Sequence, residues 1–400
     1  MTSRVLVRAR LGTVLTFALA GMLCGVWVSR TPALADKFGM SEGDVGTAIL
    51  VWGIGAIIAM QGLRGVMARL GGTAVLRIAA PLTAVSVALI GLAPTRPLLF
   101  AAVALFGMTF GLTDIGMNAQ GSAVERSYGR PIMNGMHAGW CAGAISGGLI
   151  GSFSASAGLS FGETLVGGAI IALAPIIVVG RTYIDDRAPA SAGRGRARLP
   201  LVVYLIGALA FVAFMMEGTI ADWSGLFLNR ELGATQSVAA LAYPLFEAAM
   251  LAGRLVGDRV RARLGTRRLL TYAGLGTAVA VSVVVLAPAT PFALVGFGLA
   301  GLMVCTVVPT TISVAGSIVP GRSAAAVGQV SAIGYGGLVL GPVVIGFLAD
   351  AASLRVGLGL AVVLALLIAA SARFVPARRL MILAAEPEPD VEPEPVRLAA

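Results

Sequence analysis

The chain has 400 residues, of which 58% are hydrophobic and 12% charged, with a net charge of +10. A soluble protein carries about 25% charged residues, so half that share excludes an ordinary soluble domain and points to lipid as the solvent. The excess of Arg and Lys does not indicate nucleic acid either, because the pattern leaves no water-exposed domain to carry a basic face.

Apolar runs long enough to cross a bilayer recur along the chain. They predict transmembrane helices at 11–29, 46–63, 74–93, 98–121, 134–154 and 161–179. Six more follow at 200–224, 237–256, 268–287, 291–314, 324–348 and 354–375. The expected fold is all-α: a polytopic membrane protein with twelve transmembrane helices in two pseudo-symmetric six-helix bundles. Residues 1–180 form the first bundle, 181–199 a cytoplasmic linker and 200–378 the second bundle. The Glu/Pro-rich tail at 379–400 is expected to be disordered, since alternating Glu and Pro favours extended, solvated chain.

The two bundles are related in sequence. Gly39, Arg69, Leu70 and Gly71 recur 194 residues later as Gly233, Arg263, Leu264 and Gly265. One residue further out of step, Gly121-Ser122, Asn134 and Gly139-Trp140 return as Gly316-Ser317, Gln329 and Gly334-Tyr335. Two such halves enclosing a cavity are the geometry that alternating access needs, so a solute carrier follows.

With the N-terminus inside, 24 of the 29 basic residues fall on the cytoplasmic side, and only Arg30, Lys37, Arg96, Arg230 and Arg355 fall outside. That bias orients a multi-pass protein of the cytoplasmic membrane with both termini in the cytoplasm. Arg4, Arg8 and Arg10, an apolar run and Ala33-Leu34-Ala35 mimic a cleavable secretory signal. Its removal would leave an odd number of spans, so an uncleaved first helix is expected.

Cys24, Cys141 and Cys305 have neither disulfide nor metal-ligand spacing, and there is one histidine, His137. No cofactor or metal is expected. No HExxH, paired His/Asp cluster or GxxxxGK[ST] pattern is present, so neither a membrane-embedded enzyme nor an ATP-driven pump is indicated. Gly139, Gly143, Gly147 and Gly151 repeat every four residues on one helical face, and Gly341 and Pro342 stand at the equivalent place. Such faces permit close helix packing in lipid.

These features resemble the major facilitator superfamily over nearly the whole chain outside the tail. Its loop motif G-x-x-x-D-R-x-G-R-R is matched by Gly253, Gly257, Asp258, Arg259, Gly265, Arg267 and Arg268, with extra residues before the last glycine. An earlier copy keeps Gly65, Arg69 and Gly71 but has Arg64 where the repeat offset places Asp258. The resemblance implies a gating latch on the cytoplasmic side, with Asp258 its stronger half. Within the superfamily the chain is similar to sugar-permease-like inner membrane proteins of the YbjJ type, through 114–131, 217–233, 253–259 and 334–350. Residues 139–148 also resemble the superfamily's antiporter motif, with Ala144 in place of its proline.

Charged groups inside spans cost about 2.5–3.5 kcal/mol each on insertion scales, so their retention points to a partner or a wet cavity. Asp114 stands one turn before Asn118, Glu217 and Asp222 precede Trp223, and Glu247 follows Tyr243 by one turn. The resemblance implies that helices 1, 4, 7 and 10 line a central cavity, where Asp114, Asn118, Glu217 and Asp222 would face solute. Alternatives stay open. Asp222 and Trp223 also suit an outer interface, and Glu217 suits an ion pair with Arg30. Trp27 and Trp140 suit either stacking on a sugar face or packing on a neighbouring helix.

The expected function is secondary active transport of a small polar solute, sugar-like or an organic acid, by alternating access with proton coupling. The alternative is proton-coupled export of amphipathic compounds. Expected partners are the solute, protons and the lipid bilayer, around a monomer.

Overall fold

The computed structural model describes residues 3–62, 71–128, 132–184, 199–318 and 323–375. Arg64, Gly65, Arg69 and the tail at 379–400 lie outside them, as does most of the linker. Among the described residues every regular element is helical, and contacts divide the chain into two compact units.

The first unit comprises α1 (Ser3–Ser29), the short α2 (Thr31–Phe38), α4 (Gly72–Leu92), α5 (Arg96–Tyr128), α6 (Met133–Ser156) and α7 (Phe161–Val179). It also takes α3 (Glu42–Gly62) from Ala48 onward, whereas Ser41–Thr47 group with the second unit. The sequence pattern places the whole of that helix in the first bundle. Glu42, in the reassigned segment, accepts a 2.5 Å hydrogen bond from Arg230 of the second unit. The second unit continues with α8 (Leu201–Arg230), α9 (Gln236–Ala239), α10 (Ala242–Leu264) and α11 (Thr266–Val285). It ends with α12 (Thr290–Val304), α13 (Val307–Ile318), α14 (Ser323–Ala351) and α15 (Leu354–Ser371).

Eleven of these stretches are long and apolar enough to span a membrane. The twelfth predicted span is α6, a helix of 24 residues that is long enough but rich in Gly and Ser, and so less apolar than the rest. Two predicted spans are interrupted. The span expected at 291–314 is α12 and α13, broken at Cys305, and the one at 237–256 begins as the separate α9.

The composition of α6 has a packing cause. A methyl group on Gly139, Gly143 or Gly147 would fall on the carbonyl oxygen of Val14, Ala18 or Met22 of α1, and one on Gly151 would fall on Ser29. Gly21 and Gly25 of α1 lie as closely against the α6 backbone in return. The second unit repeats this seam between α8 and α14, where Gly337 and Gly341 face the carbonyls of Phe211 and Met215. Lipid supplies no hydrophobic drive between helices, so backbone approach of this kind holds them together.

The duplication also shows in the turns. Among the described residues five glycines have positive φ, and four are repeat pairs: Gly39 (58°) with Gly233 (65°), and Gly71 (85°) with Gly265 (77°). A side chain is strained there, which explains why the glycines recur at the same offset.

Candidate functional site

The polar interior of the second unit is built where α8, α10 and the α12–α13 break meet. Glu247 and Arg254 lie seven residues apart on α10, two turns along one face. Arg254 Nη2 stands 4.0 Å from Oε2 of Glu217 on α8. Its Nε donates to the Cys305 carbonyl at 3.3 Å. That carbonyl lies where α12 ends, and a helix C-terminus favours a cation. Gly253 and Gly257 make the approach possible, since a methyl on either would strike Cys305 or Thr306. Glu247 is 6% exposed and close enough for its charge to act on Glu217, whose Oε1 is buried without a partner among the described residues. Tyr243 is buried one turn before Glu247.

Glu217 therefore stands between a guanidinium, Arg254, and a second carboxylate, Glu247, whose charge acts on it. Asp222 does not join them. Five residues beyond Glu217 on α8 it faces another direction and is half-buried. Trp223 is fully enclosed with its ring against Gly346 of α14, and a completely buried ring is not an interfacial anchor.

Within its own unit Glu217 faces Arg254. Arg30 is 2% exposed, and its Nη2 donates to the Leu159 carbonyl at 2.9 Å. It follows the last residue of α1, at the end of its own bundle, where a backbone oxygen left free before the start of α7 takes the charge.

The first unit is equipped differently. Phe106, Phe110, Asp114 and Asn118 form a slanting stripe on α5 at spacing four. Asn118 Nδ2 donates to the Asp114 carbonyl (2.8 Å) and to its Oδ1 (3.1 Å). Around the aromatic half of the stripe three tryptophans from three helices converge. Trp27 lies edge-on to Phe106 at 6.2 Å between centroids, Trp52 is 5.4 Å from Phe110, and Trp140 is 5.8 Å from Phe110. Trp27 is buried, while Trp52 and Trp140 are half-exposed. The Nε1–H of Trp52 has no acceptor among the described residues. Hydroxyl pairs back the stripe between α4 and α5, Thr83 with Thr113 and Ser86 with Thr109.

Sequence reasoning missed Trp52, Phe106, Phe110 and Arg254. The spacing of four from Phe106 to Asn118 and of seven from Glu247 to Arg254 were the available signals. Trp52 had none, because its role depends on how α3 packs on α5.

Of the loop-motif residues, Arg259 is exposed, Arg267 donates to the Val375 carbonyl at 2.7 Å, and Gly71 and Gly265 shape the turns before α4 and α11. The side chain of Asp258 lies outside the described residues, so its latch role stays a proposal. Pro342 lies inside α14 with Gly341 on the α8 seam.

Residues 205–398 match the family model of the Major Facilitator Superfamily. An uncharacterized transporter of Sinorhizobium fredii is 34% identical over 86% of this chain and 92% of its own length. An uncharacterized MFS-type transporter of Yersinia pestis is 33% identical over 92% and 95%. Among solved structures, a point mutant of the nucleoside transporter NupG superposes with a TM-score of 0.71 at 14% identity, covering 94% of this chain and 99% of that one. A point mutant of the E. coli fucose:proton symporter FucP does so at 0.62 and 16%, covering 92% and 98%.

Proposed function

The chain belongs to the major facilitator superfamily, and on that premise we propose that it carries a small polar solute, sugar-like or an organic acid, by alternating access coupled to protons. The observation that carries this reading is the largely enclosed cluster of buried Glu247 with part-buried Glu217 and Arg254. With both carboxylates ionised the group bears one net negative charge; with one protonated its charges cancel. Closing the surroundings to water favours the balanced state, because an uncompensated buried charge is expensive. Water access then becomes linked to proton occupancy, and occupancy biases which state is populated.

Solute binding is assigned to the α5 stripe. Asp114 and Asn118 supply an acceptor and an amide, and half-exposed Trp52 and Trp140 supply flat apolar surface of the kind that stacks on sugar rings. The test is proton flux in proteoliposomes, with solutes chosen by a thermal-shift screen of sugars and organic acids. Solute-dependent alkalinisation that disappears in Glu217→Gln supports the reading, and unchanged coupling in both Glu217→Gln and Glu247→Gln sinks it.

A second reading, proton-coupled export of an amphipathic compound, draws on the five-ring cluster beside a single carboxylate, Asp114. Saturable stabilisation by lipophilic cations but not by sugars in the same screen would favour it. We further propose a cytoplasmic-membrane location with both termini in the cytoplasm, tested by cysteine labelling from either side. A monomer is proposed as well, tested by light scattering of the purified protein.

A further inference from the structure

The second unit carries a crevice along one helix pair, independent of the transport reading. At one end of α11 and α15 a cleft of about 440 Å³ is lined by Arg267, Arg268, Thr271, Tyr272 and Arg373. Further along the same two helices lies a groove of about 570 Å³, lined by Ala278, Ser282, Leu286, Val362 and Leu366 among others. Its walls are apolar, and Val279, Leu286 and Leu366 are 67%, 78% and 46% exposed. Between cleft and groove the helices touch, since Gly274 lies against the backbone of Ala365 and Ala369.

Among the described residues the charges at the cleft are unbalanced. Among the described residues none of the three arginines forms an ion pair. Arg267 uses only its Nε, on the Val375 carbonyl, and Arg373 lies over the Phe374 ring at 4.7 Å. A guanidinium presents five donors in a fixed fork that matches phosphate geometry. The lengths also agree. From Arg373 to Leu366 is seven residues, about 10 Å of helix, within the ~15 Å depth of one leaflet's hydrocarbon.

We propose that this crevice binds one anionic glycerophospholipid, its phosphate between Arg267, Arg268 and Arg373 and an acyl chain along the α11–α15 groove. Zwitterionic lipid fits the groove equally well but compensates the arginines less, so the site discriminates by net charge. Basic pockets between transmembrane helices recognise anionic headgroups in this way.

Full-length, delipidated protein is titrated with phosphatidylglycerol or with phosphatidylcholine of the same chains, and bound lipid is counted by native mass spectrometry. Wild type is expected to retain one phosphatidylglycerol with at least tenfold preference. Each arginine contributes about fivefold, so Arg268→Gln with Arg373→Gln lowers that affinity about 25-fold. Phosphatidylcholine binding, which draws mainly on the groove, falls much less and so reports that the variant is folded. Arg263→Gln, which removes an exposed charge outside the cleft, keeps the preference. Leu366→Trp, filling the groove, weakens both lipids. Inorganic phosphate in place of lipid is expected to give no thermal shift. Equal binding of both lipids, a preference that survives the double variant, or a full shift with phosphate alone would each overturn the proposal.

Discussion

The two units share a scaffold and differ in what they enclose. Each places a glycine seam on the backbone of its first long helix, α6 on α1 and α14 on α8. Each also closes the end of its third span in the same manner. In the first unit Lys37 donates to the carbonyls of Gly91 and Ala93; in the second Arg355 donates to those of Val285 and Ala287, the same positions 194 residues on. The cation comes from α2 in one case and α15 in the other, so the free helix-end carbonyls are the constant and their partner is not. Inside, the first unit holds five aromatic rings and one carboxylate–amide pair, while the second holds two carboxylates and an arginine. Duplication preserved the elements that bring backbones together, and the side chains facing the interior diverged. On the proposed function, recognition and proton handling would fall to different halves.

The sharpest way to break this comparison is through the seams. Gly143→Leu and Gly337→Leu each drive a side chain into a facing carbonyl, and both are expected to abolish monodisperse folded protein in size-exclusion chromatography. If one is tolerated, the seams are not equivalent. Next in size is Arg254→Gln, which leaves Glu217 without its cation and is expected to cost about 3 kcal/mol in detergent unfolding. Adding Glu217→Gln should restore part of that loss; strict additivity would show that the two residues are uncoupled.

For the first unit, Trp52→Phe keeps the ring and removes the N–H. It is expected to weaken solute binding about tenfold, the worth of one hydrogen bond of ~1.4 kcal/mol, with little change in melting temperature. An unchanged affinity would remove Trp52 from the site. The smallest effect belongs to the clasp at the end of α7. Tyr183 is buried there with its hydroxyl 2.7 Å from Thr16 Oγ1, and burial pushes its ionisation up to about 12. A folded-state value above the ordinary 10 means that this contribution is complete below pH 10 and fades as pH rises toward 12. Wild type should therefore lose stability over that window relative to Tyr183→Phe, and parallel profiles would contradict it.

That clasp sharpens the comparison as well. Thr73 donates to the Ile184 carbonyl, and Arg267, its counterpart 194 residues later, donates to that of Val375. Both tie the chain after the sixth helix to the start of the third. The substitution of a hydroxyl by a guanidinium is what leaves a spare cationic fork at the end of α11.

The apolar spans, the repeat and the glycine turns were legible in the residues, because each follows from local constraints. A run of about 20 apolar residues must become a helix in lipid, and a left-handed turn must be glycine. Asp114, Glu217 and Glu247 were legible for a related reason, since a charge within an apolar run stands out whatever surrounds it. Only the tertiary structure decided who their partners are. It turned Glu217 toward Arg254, gave Arg30 a backbone oxygen, enclosed Trp223 and brought Trp52 onto the α5 stripe. It also broke the tenth span at Cys305, beside the arginine that its carbonyl holds. A partner across a helix interface depends on the rotation and approach of two helices, which small residues on both of them set jointly, and no stretch of one helix records that.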